Sequence, residues 1–195
     1  VPACKTIDSV TCFALSCDEA QTVVNVMSDP QLVCPAFSRV QMDTFTFGVP
    51  APEQLNFFGN DEGFLLLEAA CRRLEKLGGT RVEIDFSPFL DCAQALYGSA
   101  LVSQRLEATN NLLNTNADAI DPTVLSILRG AQKYSAMDVY AAQEMVNQYK
   151  IQAENIMNNI DVLVTPTAPR CYTIKELEEK PLELNKNVGY YTNVM

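Results

Sequence analysis

Apolar residues recur along this chain with two periods, and the switch between them lays out its elements. Leu67, Ala70, Cys71, Leu74 and Leu77 fall three or four apart, which predicts an amphipathic helix over 62–77, stopped by Gly78-Gly79. On either side the period changes. Phe45 to Val49 reads as a strand closed by Pro50 and Pro52, and Arg81 to Phe86 alternates polar with apolar as a half-buried strand does. Strand, helix and strand in succession form a βαβ-like unit. The fold class is therefore α/β, with a largely parallel or mixed sheet covered by helices.

Capping signals place further helices. Ser16 with Glu19 opens a short one ending near Met27, and residues 28–44 are loop-like, broken at Asp29-Pro30 and Cys34-Pro35. Ser87-Pro88 starts a helix through Phe89, Cys92, Ala93, Leu96 and Tyr97, with a disturbance expected at Gly98-Ser99. Asp121-Pro122 opens a short helix, and Ser135 with Asp138 a longer one reaching about Asn159. Asp161 to Val164 is a buried-strand candidate ending in Thr165-Pro166-Thr167. Residues 175–188 are polar and surface-like, and the run from Tyr190 to Met195 has strand-like composition. Val1 in place of Met, and a strand-like run with no stop signal behind it, suggest a piece cut at both ends. No internal repeat or linker divides it.

Composition narrows the chemistry. With 48% hydrophobic and 19% charged residues, the 195-residue chain has the make-up of one globular domain with a sizeable core. A net charge of −10 and the lack of a basic patch argue against a nucleic-acid partner. No apolar run approaches the roughly 20 residues that span a bilayer, so no membrane partner is expected. Seven scattered cysteines, without a C-x-x-C pair or any histidine, speak against zinc and for a reducing, cytoplasmic location. The absence of histidine also excludes a Ser-His-Asp or Cys-His catalytic group built from these residues. No glycine-rich phosphate loop and no G-x-S-x-G elbow occurs. The carboxylate pairs Asp18-Glu19, Asp61-Glu62 and Glu178-Glu179 read as solvated helix starts and turns.

A resemblance supplies what motifs do not. The opening Val1 to Val10, Phe13 to Ser16 and Asp18-Glu19-Ala20 resemble a stretch of the amidase signature family, and within it the allophanate hydrolases, including the amidase half of urea amidolyases. Phe47-Gly48-Val49-Pro50 with Phe57-Phe58-Gly59, then Leu77-Gly78-Gly79 with Val82 to Phe86, continue it in order. So do Asp161-Val162-Leu163, Thr165 to Pro169, Leu184-Asn185, Gly189 and Tyr191-Thr192-Asn193. The resemblance implies that residues 1–195 are the C-terminal part of an amidase domain, in part of the amidase-signature fold and incomplete at both ends. Such enzymes use a Ser–cis-Ser–Lys triad, which the resemblance puts upstream, so no catalytic residue is expected here. Implied too are hydrolysis of a small carboxylate-bearing amide, allophanate to ammonia and carbon dioxide in urea degradation, without metal or organic cofactor. A homodimer and a fused or separate urea carboxylase are the implied partners besides the small-molecule substrate.

One functional pair is carried over. Tyr97 and Arg105, eight positions apart, match a Tyr and an Arg that in these hydrolases clamp the substrate's carboxylate. A guanidinium can engage a carboxylate through two parallel hydrogen bonds, and a phenol adds a third donor. Eight residues of straight helix would hold them roughly 12 Å apart along the axis, so convergence needs long side chains or a bend near Gly98-Ser99. The plain alternative is an amphipathic helix with Tyr97 half-buried and Arg105 solvated. The intervening Gly98 to Gln104 departs from the Glu-Gly-Pro-led segment usual in the family. Two rival functions stay open: another amidase-signature enzyme, such as a general amidase or a tRNA-dependent amidotransferase subunit, and a non-catalytic truncated product.

Overall fold

A computed structural model describes Thr6, residues 11–28 and residues 43–193, with Tyr97 placed by its backbone. The family-like opening around Val1 to Val10, the breakers Asp29-Pro30 and Cys34-Pro35, and Val194-Met195 lie outside the described residues.

Three parallel strands form the sheet: β1 (Phe45–Pro50) in the middle, β2 (Gly79–Ile84) on one side and β3 (Val162–Leu163) on the other. Of the largely parallel or mixed sheet expected, the parallel pairing is the one present among the described residues. Alternation along β1 assigns its faces. Phe47 and Val49, both fully buried, pack with Leu67 and Cys71 of helix α2 (Asp61–Lys76). On the same face Arg81 of β2 forms a fork with Glu68 of α2, at 2.8 and 3.0 Å. The hydrogen bond from Arg81 is the first cause holding the Glu68 carboxyl below its usual range.

The opposite face is read from Gly48. A methyl group there would lie 2.6 Å from Ile160 Cδ1 and 3.0 Å from Ile84 Cγ2, so the missing side chain lets the chain entering β3 close onto β1. Ile84, Phe86, Phe89 and Ile160 gather on this side with Ala153 and Ile156. They come from β2, helix α3 (Ser87–Gly98) with its cap Phe86 and, after α4 (Ser103–Thr115) and α5 (Pro122–Ala131), the long helix α6 (Ala136–Met157) and the chain between it and β3. Helix, sheet and helix make three layers, the arrangement a βαβ unit requires when both sheet faces are apolar.

Local chemistry accounts for the ends of the elements. Asp121 accepts from the N–H groups of Thr123 and Val124 to start α5, and Ser135 with Asp138 closes a reciprocal capping box on α6. Gly78 ends α2 with φ +95, and a Cβ there would collide with the Asp43 carbonyl oxygen, so only glycine fits this turn. The first helix, α1 (Cys17–Met27), begins at Ser16 as expected but buries none of its residues.

Some expectations change. Residues 175–188 stay at the surface as expected, but as two helices, α7 (Ile174–Glu179) and α8 (Pro181–Val188). A capping box between Thr173 and Glu176 starts α7, and Pro181 at the first helical position starts α8. Tyr190 to Thr192 is a turn rather than a strand, because the carbonyl of Gly189 accepts from both Thr192 and Asn193 N–H. The strand expected at Asp161 to Val164 is present but not buried: β3 is short, and Val162 is exposed on it.

Candidate functional site

A sheet of parallel strands sends all its carboxyl ends to one edge, and the loops that leave there usually bind the ligand. Here β1 leads into the loop holding Asn56 and Phe58, and β2 leads into α3. Between that loop, α3 and the end of α8 runs a cleft of about 610 Å³. Leu90, Ala93, Gln94 and Gly98 line it from α3, and Lys186, Tyr190 and Asn193 from the C-terminal side.

A hydrogen-bonded frame fixes these loops. Gln54 donates from Nε2 to Asp85 Oδ1 at 2.7 Å and to Ser87 Oγ at 2.8 Å, while its Oε1 accepts from Phe86 N–H at 2.7 Å. One carboxamide thus ties the chain after β1 to the chain after β2. The bond from Gln54 first, then those from Ser87, whose N–H donates to Asp85 Oδ1 at 2.9 Å, hold the Asp85 carboxyl below its ordinary range. Tyr191 locks the third side. It is 1% exposed, and its phenol donates to the Asn56 carbonyl at 3.1 Å and accepts from Asn56 N–H at 2.7 Å. Burial pushes that phenol up to about 12, so it remains a neutral donor throughout the physiological range. Tyr190 adds a bond from its hydroxyl to the Gln54 carbonyl at 3.1 Å.

Phe58 forms part of the cleft wall under strain. Its φ is +48, a left-handed conformation that a bulky residue adopts only when its surroundings impose it. The Asn56 side chain accepts from Phe58 N–H at 2.9 Å, and the Phe58 ring meets Tyr190 edge-on at 5.6 Å.

The break expected at Gly98-Ser99 is present. Ser99 is extended, with φ −123 and ψ −177, and its hydroxyl donates to the Ala95 carbonyl at 2.6 Å while accepting from Leu101 N–H at 3.3 Å. This Ser caps the turn. The buried 3₁₀ turn Ala100–Val102 follows, with Ala100 and Leu101 packed against Ala142 of α6, and then α4 begins at Ser103. Tyr97 therefore occupies the last turn of α3, at the helical position next to the cleft-lining Gly98; its side chain lies outside the described residues. Arg105 is half-buried in the first turn of α4, and its carbonyl accepts from Thr109 Oγ1 at 2.7 Å. The two stand on separate helices joined by a sharp corner, not on one straight helix, and Arg105 does not line the cleft. Missed by sequence reasoning were Asn56, Phe58, Gln94, Lys186 and Asn193. Only the Phe57-Phe58-Gly59 and Tyr191-Thr192-Asn193 matches pointed near them.

No protein-family model matches the chain. Individual proteins do. Urea amidolyase of Lachancea kluyveri is 33% identical and that of Saccharomyces cerevisiae 29%, each over 201 residues and 99% of this chain. A solved allophanate hydrolase of Kluyveromyces lactis, a serine-to-alanine variant, is 32% identical and covers all of this chain with a TM-score of 0.89. The chain is similar to allophanate hydrolase in both sequence and fold. It spans 11% of the length of the two urea amidolyases and 33% of the K. lactis chain.

Among the described residues no helix is long and apolar enough to cross a membrane, and no group of three or more acidic, Cys or His side chains could hold a metal ion. Cys71 and Cys92 are buried cysteines, small core hydrophobes, and burial raises the Cys71 thiol above the usual range.

Proposed function

We propose that this chain is the C-terminal part of the amidase domain of an allophanate-hydrolysing enzyme, and that it supplies the grip on the substrate's carboxylate. The observation that carries the reading is the full-length structural match to the K. lactis allophanate hydrolase at 32% identity. In this reading the protein belongs to the amidase signature family, and its Ser–cis-Ser–Lys triad comes from another part of a longer protein. Allophanate is hydrolysed to ammonia and carbon dioxide in urea degradation without metal or organic cofactor. The names of the urea amidolyase relatives support a link to a urea carboxylase, fused or separate. A homodimer in the cytoplasm completes the proposal, the location supported by the scattered cysteines, of which Cys71 and Cys92 are buried as core residues.

Tyr97 and Arg105 hold the carboxylate. The corner at Ser99 favours this pairing, because it removes the straight helix that would have kept the two apart along one axis. The guanidinium provides charge and two parallel donors, and the phenol one more. Tyr97→Phe in the full-length protein removes a single donor to a charged group. It is expected to raise KM for allophanate by about tenfold, the low end for one bond to a charged group, with kcat nearly kept. An unchanged KM would remove Tyr97 from the clamp.

A further inference from the structure

The cleft at the carboxyl edge of the sheet has a chemistry that the Tyr97–Arg105 pair does not use. Four of its lining side chains are carboxamides, Asn56, Gln94, Asn187 and Asn193. A carboxamide presents one acceptor and two donors, the complement of another planar amide. The Asn56 oxygen is committed to Phe58 N–H, and the Asn187 nitrogen donates to the Tyr172 hydroxyl. Gln94 lies one turn before Gly98 on the cleft side of α3, and among the described residues its amide makes no hydrogen bond.

The wall opposite is aromatic, the edge-on pair Phe58 and Tyr190. Phe58 is held there in a left-handed backbone conformation, which persists where the surroundings over-determine it, often at ligand sites. Charge completes the set. Among the described residues two charged side chains line the cleft, Glu183 and Lys186. Glu183 lies 3.5 Å from Lys180, so part of its charge is balanced. Lys186 has no ion pair among the described residues, in a chain of net charge −10.

We infer that this cleft binds a small planar carboxamide bearing one negative charge, with Lys186 meeting the charge, Gln94 pairing with the amide and Phe58 covering its face. Lys186 thereby sets specificity as a second cation, placed on α8 and separate from Arg105 on α4. The inference rests on the allophanate reading for the class of ligand, not on the Tyr97–Arg105 clamp.

The test uses the full-length protein and two probes, oxamate and its neutral counterpart oxamide, with affinity measured by calorimetry or ligand-observed NMR. Lys186→Met is expected to weaken oxamate about three- to tenfold and leave oxamide unchanged, the range for one partly solvated charge contact. Lys186→Arg restores oxamate binding. Gln94→Leu weakens both probes alike, and Lys150→Met, on α6 with a partner outside the cleft, affects neither. Equal affinity of Lys186→Met and wild type for oxamate overturns the inference, as does a wild type that binds no oxamate at millimolar concentration. Failure is separable from failure of the clamp. If Arg105→Ala loses oxamate while Lys186→Met keeps it, the clamp stands and the cleft assignment falls. The reverse pattern supports the cleft and discards the clamp.

Discussion

Arg105→Ala in the full-length protein is expected to raise KM for allophanate by about 10- to 100-fold while kcat changes little. The size follows from the interaction lost. Hydrogen bonds to a charged group contribute about 1.5–3 kcal/mol, and each 1.4 kcal/mol is a factor of ten. The kinetic form follows from where the charge sits. Nucleophilic attack takes place at the terminal amide carbonyl, whereas the carboxylate at the other end carries the same charge before and during the reaction. A contact to that carboxylate is therefore made equally in the ground and transition states, and its loss falls on KM. Half-burial of Arg105 in the first turn of α4 strengthens the contact relative to a fully solvated pair. Steady-state kinetics with allophanate give both constants. A large fall in kcat at unchanged KM would mean that Arg105 acts on the reacting atoms or on the fold instead.

The largest expected effect on stability is at Phe47. This ring is fully buried at the centre of β1 and packs with Val49, Leu67 and Cys71, beside the Phe45 ring at 6.2 Å. Phe47→Ala removes the contact that seats α2 on the sheet and leaves a cavity, a loss of about 3–5 kcal/mol. Amide hydrogen exchange of β1 and β2 in the full-length protein reads this locally, without treating a large protein as two-state. Exchange there should accelerate by about two orders of magnitude or more. Unchanged protection would mean that α2 is not held by the β1 core.

What the sequence showed and what it hid divide along the range of the interactions. The β1–α2–β2 unit was legible because each element carries its own period, and the starts of α5 and α6 because Asp121 and Ser135 cap within three residues of themselves. Thr173 and Glu176 give the same local signal for α7, but the polar composition that follows masked it. Gly98-Ser99 was legible as a break because glycine weakens a helix and serine competes for its backbone. The turn after it was not, since Ala100 and Leu101 are buried by α6, some forty residues further on.

The cleft was hidden for the same reason. Its frame depends on Tyr191 reaching Asn56 across 135 positions, and Tyr190 reaching Gln54 across 136. Two adjacent tyrosines suggest a strand to any local reading. Here they form a corner whose phenols replace the ladder bonds a strand would make. Tyr97 and Arg105 came from resemblance. The structure adds the corner between them, which local patterning pointed to only as a disturbance.

The role proposed for this chain is a grip on a substrate carboxylate. Biuret has the shape of allophanate with the carboxylate replaced by a neutral amide, so the two isolate that one charge. The measurement is kcat/KM of the full-length protein for allophanate and for biuret, at one pH and ionic strength. The expected preference for allophanate is about 10- to 100-fold, from the same charged contacts. Comparable values for the two compounds would contradict it.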